Sequence, residues 1–266
     1  MITLDFDPVA FTIFGWPVHW YGIMYLIGFI SGWWLGRVQA KRPGSGWTAE
    51  QVDDWVFYVG MGVILGGRFG YVFFYGWEQL ANDWTFAFKI WQGGMSFHGG
   101  LLGVLAGLWL FARRYKKGFF ATVDFTAPCV IIGLGAGRLG NIINGELWGK
   151  PTDLPWAMIF PHADMQPRHP TPLYEFILEG IVMFIIVWGF ARKPRPTMAV
   201  SGVFALCYGV FRMLVETVRL PDAHIGYLAF NFMTMGMLLS VPLVLVGLLL
   251  LWLAYRNVNK NIASKT

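Results

Sequence analysis

A chain of 266 residues, of which 56% are hydrophobic and 13% charged with a formal net charge of +5, carries about half the charge of an ordinary soluble domain. That is too little to coat a water-facing surface, and the hydrophobicity excludes disorder, which needs the opposite balance. The 14 Trp and 33 Gly suit a membrane bundle, where Trp collects at the interfaces and Gly lets helices approach closely.

Apolar runs near the length of a bilayer crossing, about 20 residues, recur along the chain. They are Val18–Val38, Val52–Phe74, Gly94–Ala112, Phe119–Arg138, Tyr174–Phe190, Ala199–Val218 and Thr234–Tyr255. The expectation is an all-α polytopic membrane bundle of about seven transmembrane helices, forming one domain over residues 1–266. No Lys or Arg precedes Arg37, so the first run lacks the basic flank of a cleavable signal and is expected to stay in the mature protein. Before the third span, Trp77–Trp91 is aromatic but of mixed polarity and is expected to lie at the interface. The loop Leu147–Pro172 carries six prolines. Proline resists regular structure, so this loop is ordered by its contacts or not at all.

The basic residues sort by side. One set of loops holds thirteen: Arg37, Lys41, Arg42, Arg113, Arg114, Lys116, Lys117, Arg192, Lys193, Arg195, Arg256, Lys260 and Lys265. The opposite set holds four: Lys89, Lys150, Arg168 and Arg219. Positive loops stay in the cytoplasm, which predicts an outside N-terminus and a cytoplasmic C-terminus. The positive charge thereby becomes a topology signal, and nucleic-acid binding loses its support. Cys129 and Cys207 both lie in apolar runs and read as small buried residues. No paired-Cys or HExxH spacing occurs, and His19, His162, His169 and His224 are scattered among loops, so no metal site is expected.

Ionisable groups inside spans are costly and are functional candidates by default. Here they are Arg68, His98, Arg138, Glu146, Glu175, Glu179, Arg212, Glu216 and Arg219. Asp53, Asp54 and Asp124 fall near cytoplasmic span ends and are set aside; Arg68 and Glu179 fit mutual neutralisation within the bundle. Within Gly133–Glu146, the stretch Gly135-Ala-Gly-Arg-Leu-Gly140 matches a dinucleotide-binding spacing without the strand that such a site requires. Its informative content is Arg138 with Asn141 and Asn144 at steps of three, which share a helix face. A guanidinium fork with two amides suits a phosphate ester, and an interhelical polar clamp is the structural alternative. Tyr208, Arg212 and Glu216 recur every four residues and Arg219 follows at three, predicting one helix face that carries all four. Arg212 and Glu216 at that spacing also suit a self-contained ion pair. His98 opens the third span among glycines, and an imidazole, with an ordinary pKa near about 6.5, suits acid–base work.

Together these elements resemble the prolipoprotein diacylglyceryl transferases, bacterial inner-membrane enzymes. The resemblance runs through Trp20-Tyr21-Gly22, Leu65–Tyr71, His98–Gly103, Gly137–Glu146, Arg168-His-Pro170, Tyr174-Glu175 and Tyr208–Asp222. The segment from Arg138 to Glu146 is the most specific of these; Gly149–Gln166 looks short for the family. The resemblance implies transfer of the diacylglyceryl group of phosphatidylglycerol to the lipobox cysteine thiol in the signal peptide of a preprolipoprotein. It implies release of glycerol 1-phosphate, no cofactor, and an active site on the outer side of the cytoplasmic membrane. On that reading Arg138 and Arg212 hold the phosphate, and Asn141 and Asn144 orient glycerol oxygens. Glu146 and Glu216 fix the arginines or bind the headgroup, and Tyr208 and Arg219 complete that helix face. His98 is the candidate base, with Tyr21 as its polar partner. A solute transporter or lipid-binding protein would also use intramembrane charge and glycine-broken helices, but no half-to-half repeat is visible. A metal-dependent phosphatidyltransferase would need clustered aspartates, and here they are scattered.

Overall fold

The computed structural model describes residues 2–221, 226–228 and 232–263, the last seven by backbone alone. Asp222, His224 and Lys265, part of the expectations above, lie outside the described residues. The chain forms two compact units, Met1–Leu35 with Asp124–Thr266, and Gly36–Val123.

The helices follow the apolar runs. They are α1 (Trp20–Ala40), α2 (Ala49–Tyr75), α3 (Trp77–Asn82), α4 (Phe97–Arg114), α5 (Phe119–Ile143), α6 (Thr171–Phe190), α7 (Ala199–Glu216) and α8 (Met235–Ala263). Five of them, α2, α5, α6, α7 and α8, are long and apolar enough to cross a membrane. The other two expected spans form the 21-residue α1 and the 18-residue α4. Both spend much of their length on Trp, Tyr or Gly, which add little hydropathy but suit interfaces and close packing.

In the Gly36–Val123 unit, the glycines at 62, 66 and 70 on α2 face those at 99 and 103 on α4. A Cβ on Gly103 would sit 2.1 Å from the Gly62 carbonyl oxygen, and one on Gly66 2.4 Å from that of Gly99. Backbones this close leave no room for side chains, which is how small residues at every fourth position join helices in lipid. Helix α2 starts on a capping box between Thr48 and Gln51, which satisfies two first-turn donors. The aromatic element expected between spans is realised as α3 and two 3-10 turns, Trp84–Phe88 and Ile90–Gln92. Trp84, Phe88 and Trp91 are exposed on it. Asp83 caps its first 3-10 turn, and hydrogen bonds from Lys89 and Thr85 bring the Asp83 carboxyl down to about 2.

The other unit corrects the all-α expectation with short strands, β1 (Ile2–Thr3), β2 (Val9–Ile13), β3 (Trp16–His19), β4 (Met158–Ile159) and β5 (Pro167–Arg168). β2 and β3 form a hairpin that turns at Phe14 and Gly15, both at positive φ, and Phe14 is fully exposed at its tip. β4 pairs in parallel with β1 and antiparallel with β5. The proline-rich loop is therefore ordered by its contacts. Arg168, buried, binds the Gly149 carbonyl at 3.0 Å and both Asp164 oxygens at 2.9 and 2.5 Å. That bond holds the Asp164 carboxyl below the usual carboxylate range. The apolar core of this unit is Ala127 and Ile131 from α5, Met183 and Val187 from α6, and Val200 from α7. Asp124, set aside on sequence, caps α7: its carboxylate accepts from Met198 N, Ser201 N and Ser201 Oγ, each at 2.7 Å.

Candidate active site

The polar cluster is assembled from α5, α6 and α7. Helix α5 runs past Arg138 to Ile143, so Arg138 and Asn141 share one continuous helix. The glycines that imitated a nucleotide fingerprint serve packing. A Cβ on Gly135 would lie 3.1 Å from Gly180 Cα of α6, and one on Gly140 would lie 2.7 Å from the Tyr21 ring. Glycine at these places brings α6 and Tyr21 onto the face of α5 that carries Arg138.

At the contact, α6 widens into a π-helical turn over Phe176–Val182. Such turns are rare and concentrate at functional sites. Glu175 and Glu179 lie before and within it, and both are fully buried. Arg138 Nε lies 3.1 Å from Glu175 Oε2, and its Nη2 lies 3.0 Å from Glu179 Oε2. Arg212 binds Glu175 Oε1 through Nη1, and Glu216 Oε1 at 2.6 Å through Nη2. Arg219 Nη1 reaches Glu175 Oε1 at 3.2 Å, and its Nε lies 3.7 Å from Glu216 Oε1. Glu175 is thus the hub of three arginines, one from α5, one from α7 and one from the segment after α7. Buried charges persist only when paired in this way.

The face expected to carry Tyr208, Arg212, Glu216 and Arg219 is corrected in one respect. Helix α7 stops at Glu216, and Arg219 lies beyond it, its backbone bridged to Gly149. Lys150 N and Nζ tie the loop to the Val218 and Thr217 carbonyls at 2.9 and 2.8 Å. Arg212 pairs with Glu216, as the ion-pair alternative expects, but the pair is not self-contained, because Arg212 also reaches across to Glu175 of α6. Glu216 is held from the residue just ahead of α8, Thr234, whose Oγ1 donates to its Oε2 at 2.6 Å. A Cβ on Gly236 would collide with that carboxyl at 2.4 Å.

Beside the cluster, Asn141 and Asn144 both donate to Glu146, at 3.3 and 2.9 Å. The amides and Glu146 therefore form a subsite of their own. Tyr21, Asn144 and Glu146 line an open cleft of about 650 Å³ together with Pro8, His19 and Gly22. Tyr21 is also an electrostatic neighbour of Glu146 and Arg138, and Tyr208 of Arg138, Arg212 and Glu179.

His98 and Arg68 belong to the Gly36–Val123 unit. His98 is exposed on the first turn of α4, its ring edge-on to Phe97 at 5.6 Å. Arg68 meets no carboxylate among the described residues, so backbone carbonyls take the place of the expected mutual neutralisation. Buried, it donates to the carbonyls of Phe86, Ala87, Gly93 and Gly94 and lies 4.5 Å over the Phe86 ring. It thereby pins the aromatic element and the glycine turn ahead of His98.

Sequence reading gave Glu175 and Glu179 no place among the site residues. The signal was present: two carboxylates four apart on an apolar helix can serve arginines on neighbouring helices only if they share a face.

The family model of prolipoprotein diacylglyceryl transferase matches residues 8–253. The chain belongs to the prolipoprotein diacylglyceryl transferase family. It is 57% identical over 261 residues to a phosphatidylglycerol–prolipoprotein diacylglyceryl transferase of Oleidesulfovibrio alaskensis, covering 98% of this chain and 97% of the relative. Relatives of the same name from Azotobacter vinelandii and Pseudomonas aeruginosa are 57% and 56% identical over 252 and 251 residues. Each match covers 94% of this chain, and 95% and 94% of the relative, respectively. The family match includes both units, and with them Arg68 and His98 as well as the arginine cluster.

Proposed function

We infer that this chain transfers the diacylglyceryl group of phosphatidylglycerol to a preprolipoprotein. The family membership supports the reaction, and one observation carries the assignment of the site. Arg138 and Arg212, from different helices, sit on opposite oxygens of the single carboxylate of Glu175. Two guanidiniums held that way are pre-spaced for one phosphodiester, and charge-assisted forks of this kind are the strongest phosphate contacts that side chains make.

In the reaction, the lipobox thiolate attacks the glyceryl carbon, the S–C bond forms, and the C–O bond to phosphate breaks. The electron pair leaves on glycerol 1-phosphate. Arg138 and Arg212 stabilise the charge that grows on the leaving phosphate, and a preorganised donor acts most strongly where charge develops. Asn144, Glu146 and Tyr21, which line the cleft, bind the glycerol headgroup together with Asn141, which donates to Glu146. Arg219 and Glu216 steady Arg212, and Tyr208 closes the polar face. His98, exposed at the start of α4, takes the thiol proton. Neither Cys129 nor Cys207 takes part, because the sulfur comes from the protein substrate, and the chemistry calls for no cofactor or metal.

Seven spans, an outside N-terminus and a cytoplasmic C-terminus complete the reading, with both units forming one transferase in the bacterial cytoplasmic membrane and the site facing outward. Reporter fusions after Lys117 and Arg195 are expected to read as cytoplasmic, and one near Asp164 as outside. A cytoplasmic signal at Asp164 would put the cluster on the wrong side.

The base is tested through pH. A general base typically contributes about 10²–10⁴-fold, which other losses can equal, so the size of a rate defect does not identify one. With His98 as base, transfer by the wild-type enzyme does not depend on prior ionisation of the substrate thiol. His98→Gln is expected to be slow, with residual transfer rising with pH as the substrate thiol ionises near about 8.5. A His98→Gln enzyme with the wild-type pH profile would retire the base.

A further inference from the structure

The arginine cluster is already charge-balanced. Three guanidiniums, Arg138, Arg212 and Arg219, are paired with three carboxylates, Glu175, Glu179 and Glu216. Glu146, on the adjoining subsite, adds a further acid. An anionic phosphodiester entering such a cluster brings a charge that no further arginine of the cluster, among the described residues, is left to offset. In a poorly screened interior that imbalance is costly, and buried groups in this position take up or lose a proton instead.

The carboxylates are unequal in their hold on a charge. Glu175 meets three guanidiniums, although its buried Oε2 accepts no hydrogen bond among the described residues and faces Arg138 as an ion pair at 3.1 Å. Glu216 meets two and accepts from the Thr234 hydroxyl. Glu179 meets Arg138 alone, through Oε2, and its buried Oε1 has no hydrogen-bond partner among the described residues. The charged or titratable groups facing Glu179 are Arg138 from α5, Glu175 from its own helix, and Tyr208 and Arg212 from α7. Once Arg138 turns its fork to a phosphate, Glu179 loses the one pair that keeps it ionised. Glu175 and Glu216 keep Arg219, and Arg219 is outside the pair of arginines assigned to the phosphate.

We propose that Glu179 is a positioning residue that accepts one proton from solvent when phosphatidylglycerol binds, releasing Arg138 from its resting ion pair to the lipid phosphate. The proposal rests on the reading of Arg138 and Arg212 as the phosphate clamp. No bond to carbon or phosphorus changes in this step: the proton moves from water or buffer to a Glu179 oxygen, and the site with its bound anion keeps the net charge of the empty site. A lipid whose phosphate is matched by its own headgroup amine brings no net charge, so its binding takes up no proton.

The test is the proton count of binding. Dihexanoyl phosphatidylglycerol is titrated calorimetrically into the purified full-length protein in two buffers of different ionisation enthalpy. The expected result is uptake of about one proton per lipid at neutral pH, with affinity falling about tenfold per pH unit above neutrality. Glu179→Gln, which imitates the protonated acid, is expected to bind with little uptake and an affinity nearly flat with pH. Dihexanoyl phosphatidylethanolamine is the neutral-lipid control. Wild-type binding without proton uptake overturns the proposal and needs no variant to do so. It is equally overturned if Glu179→Gln keeps the wild-type proton count, since the proton then goes elsewhere. Failure of the wild-type protein to bind the short-chain lipid, while still transferring diacylglyceryl, would overturn the clamp and this proposal with it. Binding with the clamp intact but without the proton would overturn only Glu179.

Discussion

Glu175→Ala is expected to be among the most destabilising single substitutions in this chain. The side chain is fully buried and joins three guanidiniums. Its removal leaves Arg138, Arg212 and Arg219 facing one another with two carboxylates among them. Removing one partner of a buried ion pair typically costs about 3–5 kcal/mol, because the charge left behind stays desolvated. Unfolding of the purified protein in detergent should show a loss in that range, and transfer of diacylglyceryl to a lipobox peptide should be abolished. Glu175→Gln keeps the volume and two polar positions, so it should recover part of the stability while leaving activity low: the amide holds no more than one guanidinium well. An alanine variant as stable as wild type would mean that the arginines are solvated, and the buried network would lose its basis. Lys89→Ala, which breaks a half-exposed pair with Asp83, serves as the surface control and should change little.

Arg138→Lys should lower the transfer rate by at least about 10²-fold, the cost of losing one preorganised donor at a developing oxyanion. The resting pairs of Arg138 use Nε and Nη2 across two carboxylates of α6. A lysine supplies one point charge on a flexible stem and cannot span both acids and a ligand. Stability should suffer less than in Glu175→Ala, since positive charge remains within reach of Glu179. Steady-state transfer from phosphatidylglycerol, measured beside a melting curve, separates the two effects. A folded lysine variant with most of its activity would show that a simple cation suffices at this position and that the fork geometry is immaterial.

Much of this protein is legible along the chain because the bilayer imposes one-dimensional rules. The spans follow from length and hydropathy, since each crossing must satisfy its own backbone within about 20 residues. Arg138, Asn141 and Asn144 could be grouped because three-residue steps within one helix are local geometry. So could Tyr208, Arg212 and Glu216. Their expense inside lipid marked them as functional candidates before any fold was known. The same local reasoning failed where a helix ended. Arg219 continued the pattern on paper, but α7 stops at Glu216 and a bridge to Gly149 sets its position.

What only the tertiary structure decided is which charges meet. Glu175 as the hub, Glu179 paired with Arg138, and Thr234 holding Glu216 all join residues from different elements. Pairing across helices depends on their rotation and separation. Here the contact of Gly135 with Gly180 and the π-helical turn of α6 set these, and both depend on packing. Arg68 shows the same division. Its sequence position suggested a charged partner, and the fold instead solvated it with four backbone carbonyls that no side-chain pattern could announce. Sequence by itself determined that these charges had to be compensated within the bundle, because lipid offers no solvent to do it; the packing of particular helices chose the partners.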